Sequence, residues 1–259
     1  MTNECNCWLN GLIRGDGYTD ERHLEIYNSS ESILRNAIIN LKRMIPQSRI
    51  KVDIYSEFPT EEMISKWLNI LDLPRKNFTL RKNTSPWKSR TEKIRVRVSS
   101  KELVSKLSKE PFHQEAYLGG LFDAEASVDI KGYVEFKQLA NQTGIKLVNN
   151  VSNMLKALGI DSTSVKTKND RKIKTDVYLY VKDLENFKNK IGFVDELKKT
   201  KLENIIAIKT SNKTPKVEDI KKLLAENKSL WEILTELKSP YHKVRKTLID
   251  NRLTIRQTR

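Results

Sequence analysis

Cysteine and histidine are scarce in this sequence, with two and three copies respectively among 259 residues. Cys5 and Cys7 are too few for a disulfide framework, and a Cys-x-Cys pair supplies only two of the four ligands of a structural zinc site. The three histidines are scattered and show no ligand spacing. We therefore expect neither disulfides nor zinc, and we interpret both cysteines as small apolar residues at the start of a helix.

Long apolar runs and a signal-peptide pattern are also missing. No stretch reaches the ~18 apolar residues that a membrane-spanning helix needs, and the opening MTNECNCWLN is polar. These absences predict no membrane partner. The predicted location is intracellular, in the cytoplasm or nucleoid, or in an organelle matrix if the gene is organellar.

Positive charge is in large excess: 48 Lys and Arg against 33 Asp and Glu give a net charge of +15. Hydrophobic residues make up 38% of the chain, which is enough for real cores and argues against wholesale disorder. The surplus favours a polyanionic partner, because each Lys or Arg placed on a phosphate releases a condensed counterion. A merely solubilising surface and an anionic membrane surface are the alternatives.

The order of predicted elements occurs twice along the chain. Each half is predicted as helix, two strands, helix, two strands, helix, with an additional helix at 61–71 inserted in the first half. This indicates an internal duplication, with domains at residues 1–110 and 111–210. The strands are predicted from alternation and the helices from 3.6-residue spacing. Strands are expected at 23–28, 49–57, 77–83, 93–100, and in hairpins at 127–138 and 163–181; helices are expected from Ser30 to Pro46, at 61–71, 101–110, 144–159, 183–192 and 195–209.

Residues 211–259 differ in character and predict three short helices, at 215–226, 229–237 and 240–250. Thr214-Pro215 and Ser239-Pro240 each suggest a cap followed by a first-turn proline. The short turn between the last two helices is typical of a helix-turn-helix. The last segment is rich in Lys and Arg, which predicts a DNA-binding extension. A plain helical bundle packed on the main body is the alternative. The candidate contacts are Lys243, Arg245, Lys246 and Arg252.

Two similar segments, WLNGLIRGDG at 8–17 and LGGLFDAEA at 118–126, open the two halves. In each, small residues four apart (Gly11 and Gly15; Gly120 and Ala124) would clear one line of a helix, so that the two helices could pack backbone to backbone. Asp16 and Glu125 would then lie side by side at the helix ends. Two such carboxylates repel one another unless a cation lies between them, and Mg²⁺ prefers carboxylate, water and phosphate oxygens. This arrangement suits metal-assisted phosphodiester hydrolysis.

The segments LNGLIRGDG and LGGLFDAEA resemble the paired signature helices of the LAGLIDADG homing endonucleases in their single-chain form. The resemblance extends over about residues 5–209 in motif and element order. It implies an α+β fold, with two pseudo-symmetric αββαββα domains whose saddle-shaped antiparallel sheets straddle DNA, here followed by a small all-α tri-helix. The implied activity is cleavage of both DNA strands, leaving short 3′ overhangs. Arg14 and Asp123 differ at the sixth place of the motif, and Ala126 replaces its final glycine.

The resemblance also implies roles for individual residues. Asp16 and Glu125 match the metal-binding acids, Asn28 and Gln138 match a polar residue that helps place the water network, and Lys198 resembles a basic residue near the scissile phosphate. The preceding carbonyl groups, of Gly15 and Ala124, are further candidate metal ligands. Two or three Mg²⁺ ions are expected, with Mn²⁺ or Ca²⁺ able to substitute for binding.

Strand faces opposite the core offer a mixture of cations, acids and aromatics, which is suited to reading base edges rather than phosphates alone. A solvated sheet face is the bland interpretation of the same pattern. The candidates for DNA contact are Lys51, Tyr55, Arg81, Arg95, Arg97, Lys137, Lys166, Lys168, Lys172, Lys174, Tyr178 and Tyr180, together with the basic loop 83–93.

The leading hypothesis is a monomeric, Mg²⁺-dependent endonuclease acting on double-stranded DNA with a long asymmetric target site, which copies its own intron or gene into new sites. Two other functions on the same scaffold remain open. One is a transcription regulator that has lost the chemistry, and the other is an RNA maturase that assists intron splicing.

Overall fold

The computed structural model describes residues 2–82, 92–109, 112–163, 166–169, 175–211 and 213–254. It shows a mixed α+β protein that divides into two compact units. The first comprises Met1–Ala126 and Ile191–Glu196, and the second comprises Ser127–Lys190 and Leu197–Arg259. The second signature helix therefore belongs to the first unit, because it packs there, although the sequence repeat starts a new half at residue 111.

The first unit contains five helices and a five-stranded sheet of order β1-β2-β5-β3-β4 among its described residues. The helices are α1 (Thr2–Asp16), α2 (Glu31–Met44), α3 (Glu61–Leu71), α4 (Lys101–Lys109) and α5 (Gln114–Glu125). The strands are β1 (Gly17–Thr19), β2 (His23–Asn28), β3 (Ile50–Ser56), β4 (Phe78–Lys82) and β5 (Lys93–Ser99).

The core of this unit follows from the predicted alternation. Apolar residues at every second strand position are buried and form one cluster with the apolar face of α2. The Ser30 side chain caps α2, as predicted, by accepting from the Ile33 N–H. The buried strand residues are Leu24, Ile26, Ile50, Val52, Ile54, Ile94, Val96 and Val98.

One strand pair departs from the expected antiparallel sheet, because β3 and β4 run parallel. The helix α3 lies between them in sequence and forms the crossover that a parallel pair requires. Strand β5 then pairs antiparallel with both β3 and β2. Consequently β4 is an edge strand, and β5, the next strand in sequence, is not its neighbour.

The second unit has a four-stranded sheet of order β6-β7-β9-β8. Gly132 and Gly159 take positive φ angles of +91° and +67°, at the predicted hairpin turn and the predicted helix stop. Ile173, an apolar residue of the hairpin predicted at 163–181, lies outside the described residues. The strands are β6 (Ala126–Asp129), β7 (Tyr133–Leu139), β8 (Lys166–Asn169) and β9 (Thr175–Val181), and the helices are α6 (Gln142–Ala157), α7 (Leu184–Lys190) and α8 (Glu196–Thr210).

Three short helices end the described chain: α9 (Val217–Ala225), α10 (Leu230–Leu237) and α11 (Tyr241–Asp250). Two of the predicted caps are wrong. The N-cap of α9 is Lys216, so Pro215 precedes the cap, and the N-cap of α11 is Pro240 itself. Ser239 is instead buried, and its hydroxyl donates to the Lys213 carbonyl at 3.2 Å. Within the described chain, the structure contains no helix that is both long and apolar enough to span a membrane.

Candidate functional site

The helices α1 and α5 pack at backbone distance, as their small residues predicted. A Cβ added to Gly11 would lie 2.0 Å from the Tyr117 carbonyl oxygen, and one added to Gly120 would lie 1.9 Å from that of Trp8. The contact is reciprocal, because each glycine faces the backbone of the other helix. By contrast, a Cβ on Gly119 would be no closer than 3.5 Å to a neighbour, the Trp8 ring. Gly120 rather than Gly119 is therefore the counterpart of Gly11.

The last turns of the same two helices meet at Gly15 and Ala124. A Cβ on Gly15 would lie 2.4 Å from that of Ala124 and 3.6 Å from the carboxylate oxygen Oε1 of Glu125. Asp16 follows Gly15 directly and ends α1, just as Glu125 ends α5. The structure therefore places both predicted acids at the same end of the helix pair, and both side chains are half-buried.

Asn28 lies beside Asp16, at the end of β2. Its amide nitrogen donates to the Asp16 carboxylate at 2.6 Å, and its amide oxygen accepts from the Ser30 N–H at 2.8 Å. The second contact fixes the amide orientation, because Ser30 is held as the N-cap of α2. A charge-assisted bond of this kind orients the carboxylate relative to the sheet.

Gln138 and Lys198 belong to the second unit. Gln138 is half-buried near the end of β7. A Cβ added to Gly144 would lie 3.3 Å from the Cβ of Gln138. Lys198 is half-buried in the first turns of α8. Their predicted roles stay predictions.

The donors at the helix ends suit a hard divalent cation better than a structural metal cage. Within the described residues, no group of three or more His, Cys, Asp or Glu side chains could hold a metal ion. Mg²⁺ commonly binds through one or two carboxylates and completes its shell with water and substrate phosphate. Asp16 and Glu125, with the carbonyls of Gly15 and Ala124, fit that pattern.

The outer face of the first sheet, opposite the core, carries five of the predicted DNA contacts. The register pairs Lys51 with Arg97 and Tyr55 with Arg81, so these side chains form rows across the strands. Arg95 lies in the middle of this face, opposite Asp53 on one side and Tyr27 on the other.

Asp53 and Arg95 form an ion pair that was not predicted. The Asp53 side chain is 1% exposed and accepts from Arg95 at 2.6 and 3.0 Å and from Arg81 at 2.9 Å. Burial by itself raises the pKa of Asp53, but the hydrogen bonds and charges of Arg95 and Arg81 outweigh it and hold that pKa below its ordinary value. The sequence offered only an acid at an outward strand position.

The corresponding face of the second sheet combines one ion pair with stacked tyrosines. Lys137 contacts Asp176 at 2.8 Å and lies over the Tyr178 ring, 5.6 Å from its centre. The rings of Tyr178 and Tyr180 stack with their centres 6.1 Å apart. In the strand register, Lys166 pairs with Tyr178, and Lys168 pairs with Asp176. Two other predicted contacts, Lys172 and Lys174, lie outside the described residues, and so does the basic loop up to residue 91.

In the C-terminal helices, α10 and α11 are joined by the three-residue turn 238–240. The predicted contacts Arg245, Lys246 and Arg252 are exposed, whereas Lys243 is half-buried. The apolar residues Val244 and Leu248 alternate with them at helical spacing and are buried, so α11 is amphipathic.

Asp123 is a second buried acid whose contacts were not predicted. Its side chain accepts from the Trp8 indole N–H at 2.9 Å and from the backbone N–H groups of Val194 and Asp195 at 3.0 Å each. It therefore joins both signature helices to the segment 191–196 of the same unit. Only the motif position of Asp123 marked it in the sequence.

Residues 113–192 match the family model of the LAGLIDADG-like domain. A comparison with curated protein sequences gave no match.

Solved structures resemble the chain at low sequence identity. I-DmoI in complex with DNA and Ca is 20% identical, covering 72% of this chain and 87% of that chain, with a TM-score of 0.45. I-DmoI with DNA and Mn is 19% identical, covering 74% and 97%, with a TM-score of 0.46. Full-length WhiA from Thermatoga maritima is 15% identical, covering 99% and 88%, with a TM-score of 0.48. The family resemblance of this chain therefore lies in residues 113–192, which match the LAGLIDADG-like domain.

Proposed function

We propose that this protein is a sequence-specific, divalent-metal-dependent endonuclease that cuts both strands of DNA and leaves short 3′ overhangs. The observation that carries the proposal is the meeting of Gly15 with Ala124, which brings the carboxylates of Asp16 and Glu125 to one end of the α1–α5 pair. The match of residues 113–192 to the LAGLIDADG-like domain and the net charge of +15 support it.

The predicted site residues have separate tasks in the proposed reaction. Asp16 and Glu125 would hold divalent cations, Mg²⁺ in the first instance, which stabilise negative charge on the scissile phosphate and the leaving 3′ oxygen. Asn28 would keep one Asp16 oxygen in place through its 2.6 Å hydrogen bond. In the second unit, Gln138 would help to order water and Lys198 would contribute positive charge near a phosphate.

The outer faces of the sheets would bind double-stranded DNA over a long asymmetric site. The protein would act inside the cell, and it would do so as a monomer. The three-residue turn between α10 and α11 and the exposed Arg245, Lys246 and Arg252 support a further contact by the C-terminal helices. Such an enzyme would serve to copy its own intron or gene into new sites.

The test uses the full chain and a randomised pool of duplex DNA. Bound sequences are selected in Ca²⁺, recovered, and then incubated with protein in Mg²⁺. We expect double-strand cleavage by the wild type and none by Asp16→Asn or Glu125→Gln, with binding retained. Glu115→Gln is the matched control, because it removes a carboxylate from the opposite end of α5 and should leave cleavage unchanged.

Each other result has a definite meaning. Tight, selective binding of duplex DNA without cleavage in Mg²⁺ or Mn²⁺ would reject the nuclease and favour a DNA-binding regulator. Stronger binding to folded intron RNA than to any selected duplex would favour a maturase. Cleavage that survives both acid substitutions would show that the reaction occurs elsewhere.

A further inference from the structure

The outer face of the first sheet contains an acid that is almost inaccessible to solvent. Asp53 lies between Lys51 and Tyr55 on the side of β3 that faces away from the core, yet its side chain is only 1% exposed. It is covered by two arginines from neighbouring strands, Arg95 on β5 and Arg81 on β4. Removing a carboxylate from water at such a position costs desolvation free energy, and the two guanidinium groups offset that cost.

The two arginines differ in how tightly they are held. Arg95 donates to Asp53 through both Nε and Nη2, at 3.0 and 2.6 Å, and contacts Glu25 at 3.5 Å. Its guanidinium also lies 6.0 Å from the Tyr27 ring centre and 5.6 Å from that of Tyr55. With 16% of its side chain exposed, Arg95 is a fixed internal cation rather than a group that can extend to a ligand.

Arg81 is held at one point and remains accessible. Its Nε donates to Asp53 at 2.9 Å, whereas 45% of the side chain is exposed. Within the described part of the chain, this is the only hydrogen bond of the Arg81 side chain, so its terminal nitrogens retain donors for a ligand. Since β4 is an edge strand, the guanidinium lies at the border of the face.

The charge of this cluster argues against a role in simple phosphate attraction. Asp53 and Glu25 together balance Arg81 and Arg95, so the cluster adds no net positive charge to the face. An arginine whose orientation is fixed by a carboxylate is instead suited to bidentate recognition, for which the edge of guanine in the major groove offers O6 and N7. Lys51, on the same face, has no such ion pair in the described chain and suits a phosphate contact.

We infer that Arg81 determines sequence specificity by reading a guanine, and that Asp53 is the positioning residue that orients it. The inference rests on the proposed binding of duplex DNA and names one element of its specificity. It also removes Arg95 from the set of side chains that reach DNA, because the same carboxylate holds it beneath the surface.

The test measures base preference at every position of the selected site, for the full chain in Ca²⁺. Wild type should prefer guanine at one position by about 5- to 150-fold, the range for a bidentate arginine contact. Arg81→Lys keeps the charge but loses the planar fork of the guanidinium, so the preference for guanine at that one position should fall at least several-fold while the preferences at the other positions remain. Asp53→Asn should weaken the same preference.

Two further measurements keep the outcome interpretable. Lys51→Gln is the matched control on β3: it should lower affinity for all sequences about equally and reduce the salt dependence of binding, with every base preference kept. Should Asp53→Asn fail to fold, as judged by circular dichroism, the accessible Arg81→Lys alone decides.

A wild type that binds no duplex DNA would reject the proposed function, and this inference with it. A wild type that selects a defined site, with every base preference unchanged in Arg81→Lys, would leave the proposed function standing and overturn the role of Arg81. Loss of preference in Arg81→Lys but not in a folded Asp53→Asn would overturn the positioning role of Asp53.

Discussion

Replacing single glycines in the signature helices by alanine tests the packing on which the candidate site depends. Gly11 and Gly120 each face the backbone of the partner helix, whereas Gly119 does not. All three lie within the helices α1 and α5. Gly119→Ala and Gly120→Ala therefore change adjacent residues identically and differ in what the new methyl group meets.

The expected change in unfolding free energy is the balance of two opposing effects. In a helix interior, alanine is favoured over glycine by about 0.5–1 kcal/mol, and Gly119→Ala should gain up to that amount, since its methyl group makes ordinary contacts at 3.5 Å or more. In Gly120→Ala the methyl group would lie 1.9 Å from the Trp8 carbonyl oxygen, and in Gly11→Ala 2.0 Å from that of Tyr117. Backbone cannot rotate away as a side chain can, so the helices must separate, at a net cost of about 2 kcal/mol or more.

The assay is urea unfolding of each variant at pH 7, with circular dichroism as the signal that monitors unfolding. We expect Gly11→Ala and Gly120→Ala to lose at least about 2 kcal/mol of unfolding free energy, and Gly119→Ala to equal or exceed the wild type. In the two destabilised variants the acids at the helix ends should also separate, so DNA cleavage should fall with stability. Equal unfolding midpoints for Gly119→Ala and Gly120→Ala would refute the reasoning, because the close backbone approach would then not exist in solution.

Three other expectations concern buried acids and a cap. Asp123→Asn should lower the free energy of unfolding by about 1–3 kcal/mol, because an NH₂ donor replaces one of the carboxylate oxygens that accept from N–H groups. The backbone amides of Val194 and Asp195 should then exchange hydrogen faster, and unchanged exchange rates would contradict this expectation. The lowered pKa of Asp53 means that its ion pairs stabilise the fold above about pH 4, the ordinary range of an aspartate, and that this contribution is lost as pH falls through the folded value. The stability difference between wild type and Asp53→Asn should thus shrink from pH 7 to pH 3 in urea unfolding, and a constant difference would disprove the assignment. Ser229→Ala removes the capping box of α10 and should cost about 1 kcal/mol, read as a lower melting temperature; an unchanged value would show that the cap is dispensable.

Much of the candidate site was predictable because it depends on local spacing. Small residues four apart identify the contact line of a helix wherever it packs, and acids that end two such helices lie at the same end of the pair when those last turns pack together. The close approaches at Gly11, Gly15 and Gly120 confirm this interpretation of the pattern. Asn28 beside Asp16 came from the family resemblance and not from spacing, and the structure adds the 2.6 Å contact between them.

The caps of α9 and α11 show where local rules failed. Ser-Pro and Thr-Pro are typical helix starts, yet Pro240 is itself a cap and Ser239 is buried against the Lys213 carbonyl. A buried hydroxyl donates to a carbonyl that is distant in sequence when that carbonyl is its available partner, because leaving a buried polar group unpaired costs more free energy than losing a helix cap. Sequence neighbours alone cannot indicate which partner is available.

The amino-acid sequence by itself determined the alternating strands, the amphipathic helices, the positive charge and the two glycine-bearing helices that end in acids. Each of these is a property of residues a few positions apart, where periodicity and composition act directly. The tertiary structure decided the parallel pairing of β3 with β4, which brings Arg81 to Asp53, and the antiparallel pairing of β3 with β5, which brings Arg95 to it. Those contacts join residues 28 and 42 positions apart across three strands, so they depend on strand order, which no local pattern specifies.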